Sequence, residues 1–170
     1  MPRTAWGFSI FADDLRPEIA NKYSLMGIYQ ADLLVQGDFP ITLAKLAMLT
    51  HYYEEKGAHS ADLAFRVRGG GQSEPLFSVD IPRSGLQIPP YPYEVPESER
   101  DPLFHAMIPV VFSPFVINEP GFVRVTMQCG DVITPLGRLM IRKATADEAA
   151  QFANYPNASA PPSSQSPSAS

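Results

Sequence analysis

Hydrophobic and polar residues alternate with a period of two along much of the chain, which is typical of half-buried β-strands. The clearest alternation covers residues 62–68 and 122–129, and the second stretch continues through the turn Gly130-Asp131 into residues 132–142. We expect antiparallel hairpins with one buried face. The positions predicted to face the core are Leu63, Phe65, Val67, Val123, Val125, Met127, Leu139 and Ile141.

Shorter apolar stretches predict further strands at residues 7–12, 24–29, 45–54, 76–81 and 104–112, and an edge or continuing strand at 33–35. Residues 45–54 are apolar on both faces at first, which favours a central strand. Pro109 removes a backbone donor from its strand and therefore indicates an edge position or a bulge. Because Pro17 restricts its own backbone and that of Arg16, residues 13–22 are predicted to form a loop with at most one helical turn.

These strands and the turn signals between them predict an all-β fold, namely an antiparallel β-sandwich of the immunoglobulin-like or C2-like Greek-key type. The 18 prolines agree with many short strands, because proline is excluded from helix interiors. With 170 residues and 45% hydrophobic content, we expect one sandwich domain over residues 1–144. Thr145 and Glu148 have capping-box spacing, which predicts a short helix over 145–155. The Ser, Pro and Ala-rich residues 156–170 are expected to be disordered.

Composition and charge argue against nucleic acids and membranes as partners. The formal net charge is −5, and the 13 basic residues are scattered without a visible basic patch, so nucleic-acid binding is not expected. No apolar run approaches the roughly 20 residues of a membrane-spanning helix, so no membrane insertion is expected. A single cysteine and the lack of an apolar leader at the N-terminus favour a reducing, cytoplasmic location.

The densest charge lies between the first two predicted strands, at Asp13, Asp14, Arg16, Glu18 and Lys22. Our first interpretation is a structural latch, in which the two cations neutralise the three carboxylates and hold the first hairpin. The alternative is a Ca²⁺ or other metal site, or a small hydrolase, because three carboxylates within six residues supply oxygen ligands. The two interpretations differ in whether the carboxylates point into a concave pocket or pair with the cations.

A second candidate is the segment Pro89, Pro90, Tyr91, Pro92 and Tyr93, which we interpret as extended, polyproline-like backbone. Such a segment with aromatic anchors binds partners at low entropic cost. The alternative is a rigid crossover between the two sheets that packs on its own domain.

The remaining residues that could carry chemistry do not predict a catalytic site, a cofactor site or a metal site. His51, His59 and His105 lack metal-ligand spacing and are interpreted as ordinary strand or surface histidines. On their strands, His51 and His105 either face one another or point to opposite sides. Cys129 alternates with Val125 and Met127, so we expect a small core residue rather than a nucleophile. The triple glycine 69–71 lacks the Gly-Lys-Ser/Thr continuation of a phosphate loop.

Three segments resemble one known family: residues 11–18 (FADDLRPE), residues 21–29 (NKYSLMGIY), and the stretch from Phe39-Pro40 to residues 43–46 (LAKL). The similarity extends over about residues 6–143. The family comprises uncharacterised bacterial and phage-associated proteins that are catalogued only as a domain of unknown function. The resemblance implies a β-sandwich and carries no reaction, ligand or catalytic residue.

We therefore expect a non-enzymatic β-sandwich binding or scaffolding module whose partner is a protein. Two alternatives remain, a small hydrolase or metal-binding enzyme using residues 13–22, and a lipid- or Ca²⁺-responsive module of the C2 type. The edge strand near Pro109 is a natural place for strand addition, and the oligomeric state is open.

Overall fold

The computed structural model describes residues 5–58, 60–69, 74–86, 96 and 103–154. Within these ranges the all-β fold with a short C-terminal helix is confirmed, and a 3-10 turn follows the seventh strand at Arg83–Gly85. The elements are β1 (Ala5–Glu18), β2 (Lys22–Ile28), β3 (Asp32–Val35), β4 (Ile41–Leu43), β5 (Leu46–Glu55), β6 (Leu63–Arg68), β7 (Phe77–Ile81), β8 (Leu103–Phe112), β9 (Phe115–Ile117), β10 (Gly121–Cys129), β11 (Val132–Lys143) and α1 (Ala146–Asn154).

The strands form two main sheets. Sheet I has the order β2-β1-β5-β8, and all of its pairs are antiparallel. Sheet II has the order β3-β11-β10-β6-β7 and is antiparallel except for β3, which pairs parallel to β11. β4 and β9 form a separate antiparallel pair. As predicted, β5 is a central strand and β8, which contains Pro109, lies at an edge.

The two sheets share one hydrophobic core. Sheet I contributes buried residues such as Phe11, Met48 and Tyr52, which belong to the same packed cluster as Phe65 and Val125 of sheet II. All eight positions predicted to face the core are buried. The alternation read from the sequence therefore identifies the inner face of sheet II correctly.

The sheets come closest where β1 passes β11. A Cβ atom at Gly7 would lie 2.2 Å from the carbonyl oxygen of His51 and 2.6 Å from Cδ2 of Leu136. A Cβ atom at Gly137 would lie 3.0 Å from Cβ of Ser9. Only glycine fits the close backbone approach at residue 7. This explains why β1 contains a glycine, although glycine ordinarily weakens a strand.

The predicted loop at residues 13–22 is wrong. β1 continues through Pro17 to Glu18, and β2 already begins at Lys22. β5 pairs with β1 only as far as Ala12, so residues 13–18 of β1 have β2 as their single neighbour. Proline is tolerated in such an edge segment, because a missing backbone donor need not break a ladder bond. The reversal itself uses Ala20 and Asn21, both with positive φ.

Several earlier predictions lie outside the described residues. They concern the Pro/Tyr segment 89–93, His59, the glycines at 70 and 71, and the C-terminal tail 156–170. In the part of the chain that the structure describes, no helix has the length and apolar character needed to cross a membrane.

The predicted capping box at the start of α1 is confirmed. The Thr145 backbone N–H donates to Glu148 at 2.8 Å, and the Glu148 N–H donates to Oγ1 of Thr145 at 3.3 Å. Arg142 of β11 donates two further hydrogen bonds to the Glu148 carboxylate, at 2.9 and 2.7 Å. Arg142 also bonds Asp32 of β3 at 2.7 Å, so one guanidinium joins the helix to two strands.

We predict that Phe65→Ala lowers the free energy of unfolding by about 3–5 kcal/mol, because it removes a large side chain and leaves a cavity. Phe65 is fully buried at 0% exposure, whereas Ile133, the matched control, is 59% exposed. Ile133→Ala should change stability by at most about 0.5 kcal/mol. Urea denaturation measures both, and equal losses would contradict the assigned core.

We predict that Glu148 stabilises the folded state and that this stabilisation depends on pH. Hydrogen bonds from Arg142 and then Thr145 lower the pKa of its carboxyl from 4.5 to about 2. A group whose pKa is lower in the folded than in the unfolded state stabilises the folded state at pH values above its unfolded pKa. This stabilisation is lost as the pH falls through the folded-state pKa. Glu148→Gln should therefore lower the melting temperature at pH 7, with the difference from wild type shrinking between about pH 4.5 and 2.

Thermal unfolding followed by circular dichroism at a series of pH values tests this. Asp131→Asn, at an exposed turn position, is the control and should show no comparable convergence. A Glu148→Gln effect that persists unchanged below the pKa of Glu148 would contradict the ion-pair explanation.

Candidate functional site

The predicted acidic site lies on the hairpin formed by β1 and β2. Asp14 accepts hydrogen bonds from Nε of Arg16 at 3.2 Å and from Nζ of Lys45 at 2.9 Å. The bond from Lys45, and then that from Arg16, lowers the pKa of Asp14. The hairpin is thereby tied to the residue that precedes β5. Lys45 lies 31 residues from Asp14, so nothing in the local sequence indicated this partner.

Asp13 has a different partner, the hydroxyl group of Tyr29, which donates a hydrogen bond to its carboxylate. Burial and then this hydrogen bond raise the pKa of Tyr29. The Asp13 carboxylate also lies over Gly27, whose φ is +67°, and a Cβ there would stand 2.0 Å from Oδ2 of Asp13. The Asp13 side chain thus occupies the space that a Cβ atom at residue 27 would need.

Glu18 and Lys22 stand opposite one another in the register of the hairpin. The Glu18 carboxylate accepts a hydrogen bond from Oγ of Ser24 at 2.9 Å, and no ion pair of Lys22 is found among the described residues. Both residues border a shallow depression at the tip of the hairpin. The five predicted residues therefore lie on one hairpin, but only Asp14 and Arg16 form an ion pair with each other.

The three carboxylates do not converge on one point, because each has its own partner. Within the described ranges, no group of three or more His, Cys, Asp or Glu side chains is placed to hold a metal ion. Each carboxylate is therefore braced locally, and of the two cations in the predicted latch only Arg16 takes part among the described residues, on Asp14 alone. The functional assignment of these residues stays a prediction.

The underside of this hairpin is apolar. Leu15 packs on Ala47 and Leu49 of β5, with Tyr23 and Leu25 of β2 against the same cluster. These β5 residues point away from the main core, which contains the alternate positions Leu46 and Met48. The hairpin therefore covers one end of the outer face of sheet I.

The outer face of sheet I carries four consecutive cross-strand rows on β1, β5 and β8, and the hairpin covers Ala47 and Leu49 in the last two rows. We call these twelve positions the apolar face, and none of them is Asp, Glu, Lys or Arg. The apolar face consists of Trp6, Tyr53 and His105; Phe8, His51 and Met107; Ile10, Leu49 and Pro109; and Ala12, Ala47 and Val111.

Aromatic rings on the apolar face are stacked across the strands. The ring centroids are 5.6 Å apart for Trp6 and Tyr53, and 4.8 Å for Phe8 and His51. His105 stacks on Tyr53 at 4.4 Å, and its Nε2 lies 3.0 Å from Nδ1 of His51. The two histidines thus face one another, which is one of the two arrangements left open by the sequence. Burial and the neighbouring His105 lower the pKa of His51.

A buried polar cluster lies at one end of the core. The Glu54 carboxylate is 1% exposed, and one of its oxygens accepts hydrogen bonds from Tyr52 at 2.6 Å and Arg83 at 2.8 Å. The bond to Glu54 raises the pKa of Arg83, while burial and then the same carboxylate raise the pKa of Tyr52. Because the charges are paired and covered, we interpret this cluster as structural.

Arg83 also connects this cluster to neighbouring segments. It donates through Nε to the Ala61 carbonyl at 2.8 Å, and Nη2 lies 3.5 Å from Sγ of Cys129. Cys129 is buried, as predicted for a core residue. The sequence does not single out Glu54 or Arg83, because a charged residue near the end of a strand or in a turn is ordinarily exposed to solvent.

No protein-family model, curated protein or solved structure matches this chain. The resemblance to a family of uncharacterised bacterial and phage-associated proteins therefore stays a prediction.

We predict that Arg83→Met lowers the free energy of unfolding by about 3 kcal/mol, because it leaves a buried carboxylate without its cation. Arg66→Met is the matched control, since Arg66 pairs with Asp80, whose side chain is 75% exposed. The control should lose about 1 kcal/mol or less. Urea denaturation of the two variants provides the comparison, and equal losses would show that Glu54 does not depend on Arg83.

Proposed function

We propose that the protein is a non-enzymatic β-sandwich module that binds or scaffolds a protein partner through the apolar face. The observation that carries this proposal is the run of four cross-strand rows without a charged residue on the outside of sheet I, in which only Ala12, Ala47 and Leu49 are buried. An antiparallel sheet with one face on the core ordinarily presents polar side chains on its other face. A contiguous exposed apolar patch is typical of an interaction site.

Exposure of individual side chains supports the proposal. Phe8 is 46% exposed, Met107 40% and Val111 43%. Phe8 and Met107 flank His51 in one row, so the exposed apolar groups adjoin one another across the sheet. Aromatic residues and methionine are enriched in protein interfaces, and charged residues are depleted from interface centres.

The stacked rings favour a preorganised binding surface. Trp6, Tyr53 and His105 form one row of rings, and Phe8 with His51 begins the next. Side chains held in such a stack lose little conformational freedom when a partner covers them, which reduces the entropic cost of binding. At the other end of this face, the hairpin of β1 and β2 packs on Ala47 and Leu49 through Leu15, so the exposed part of the face lies around the stacked rings.

The enzymatic alternative has less support from the acidic hairpin. A hydrolytic carboxylate pair must flank one substrate bond, with both groups directed at it. Asp13, Asp14 and Glu18 instead accept hydrogen bonds from Tyr29, from Arg16 with Lys45, and from Ser24. Each carboxylate is thus held by a separate partner, which leaves the apolar face as the better candidate for binding.

Substitution of two exposed residues tests the proposal. Phe8→Ser combined with Met107→Ser should weaken binding of a partner protein by about 30-fold, the effect of losing an interface hot spot. Proteins captured by the wild type from a cell extract would be identified and purified, and their affinity measured by calorimetry. Direct binding that the double variant loses would support the proposal.

The matched control is Val132→Ser combined with Ile133→Ser, at the exposed start of β11. These side chains are 46% and 59% exposed but lie outside the apolar face. Both double variants must unfold cooperatively for the comparison to count. Equal affinity of the two variants for every purified partner would refute the assigned surface.

A further inference from the structure

Three arginines lie side by side on the outer face of sheet II. Arg68 of β6 stands opposite Arg124 of β10, and Arg124 stands opposite Arg138 of β11. Their neighbours Val67, Val123 and Leu139 are buried, so the arginines are on the solvent side of the sheet. We call these three residues the arginine row.

Without a bound anion, the arginine row lowers the stability of the sheet. Like charges directly opposite one another on neighbouring strands destabilise a sheet. None of the three guanidinium groups forms an ion pair with a carboxylate of the described residues. By contrast, Arg66 on the same sheet pairs with Asp80 at 2.7 Å, and Arg142 pairs with Asp32 and Glu148. Among the described residues of sheet II, the basic side chains without a carboxylate partner therefore all lie in one line across three strands.

Phe122 positions two members of the row. The guanidinium carbons of Arg124 and Arg138 lie 5.0 and 5.1 Å from the centre of its ring. Cation–π contact of this kind restricts the orientation of a flexible side chain. Beside Arg138, a surface depression is bordered by Phe122, Gln30, Met140 and Asp32, and the Asp32 carboxylate is already paired with Arg142. Arg138 is the member of the row that borders this depression, and Phe122 holds Arg124 next to it.

We propose that the arginine row binds a ligand carrying a phosphate group or a diphosphate. Three unpaired cations match a ligand with at least two negative charges, and a phosphate monoester carries about −1.5 to −2 at pH 7. Guanidinium groups bind such oxyanions through paired N–H donors. Neighbouring strands are about 4.8 Å apart, so the row spans roughly 10 Å, which suits a compact anion.

A long polyanion fits less well. The whole chain carries a net charge of −5, so an extended nucleic acid or acidic polymer is repelled away from the row. A compact phosphate group contacts the local positive patch alone. This inference does not depend on the apolar face, because the two surfaces belong to the outer faces of different sheets.

Titration of inorganic phosphate, pyrophosphate and a simple phosphate monoester tests the inference, with the arginine Nε–Hε signals followed by NMR. At low salt we expect pyrophosphate to bind with a Kd below about 1 mM. Arg124→Gln combined with Arg138→Gln should weaken binding at least tenfold, and raised salt should weaken it in the wild type. The monoester binding more tightly than inorganic phosphate would identify a phosphorylated organic ligand as the natural class.

Two controls separate this site from general effects. Arg66→Gln removes a cation that already has a partner and should leave the affinity unchanged. Phe8→Ser with Met107→Ser should also leave it unchanged, which separates this site from the proposed protein-binding surface. The proposal is overturned if none of the three anions shifts the signals of the row, if Arg66→Gln weakens binding equally, or if only an oligonucleotide or polyglutamate binds.

Discussion

The packing of two sheets over one core determines the rest of this structure. Side chains alternate along a strand, so the register that buries one set of residues also fixes which residues face the solvent. In β5, burial of Met48 and Tyr52 places Leu49 and His51 on the outside. In β10, burial of Val123 and Val125 places Arg124 on the outside. Both proposed binding surfaces are therefore consequences of how the core is filled.

Local patterns in the sequence predicted the parts of the fold that depend on neighbouring residues. The hairpin of β10 and β11 follows from period-two alternation and a turn signal, and both lie within one stretch of chain. The extension of β1 could not be predicted in this way, because charge and Pro17 locally resemble a loop. It is a strand because β2 folds back beside it and because Leu15 is buried on sheet I.

The candidate sites depended on contacts between distant residues, which the sequence does not display. His51 and His105 are 54 positions apart, and only the β5–β8 register brings their rings together. The basic residues looked scattered for the same reason, although pairing of β6, β10 and β11 places three arginines in one line. A prediction of strand order and register, rather than more composition data, would have revealed the line.

The two outer faces differ in chemistry, and this difference bears on the scaffolding interpretation. Sheet I presents four rows without a charged residue, while sheet II carries three arginines that have no carboxylate partner in the part of the chain that the structure describes. Packed sheets are about 10 Å apart, so a protein on one face neither covers nor contacts a ligand on the other. Simultaneous occupancy of the two faces therefore meets no steric conflict. Coupling between them would have to pass through the core, where side chains such as Phe65 are closely packed and resist small displacements. A rigid sandwich with two independent surfaces suits a module that holds two different ligands together.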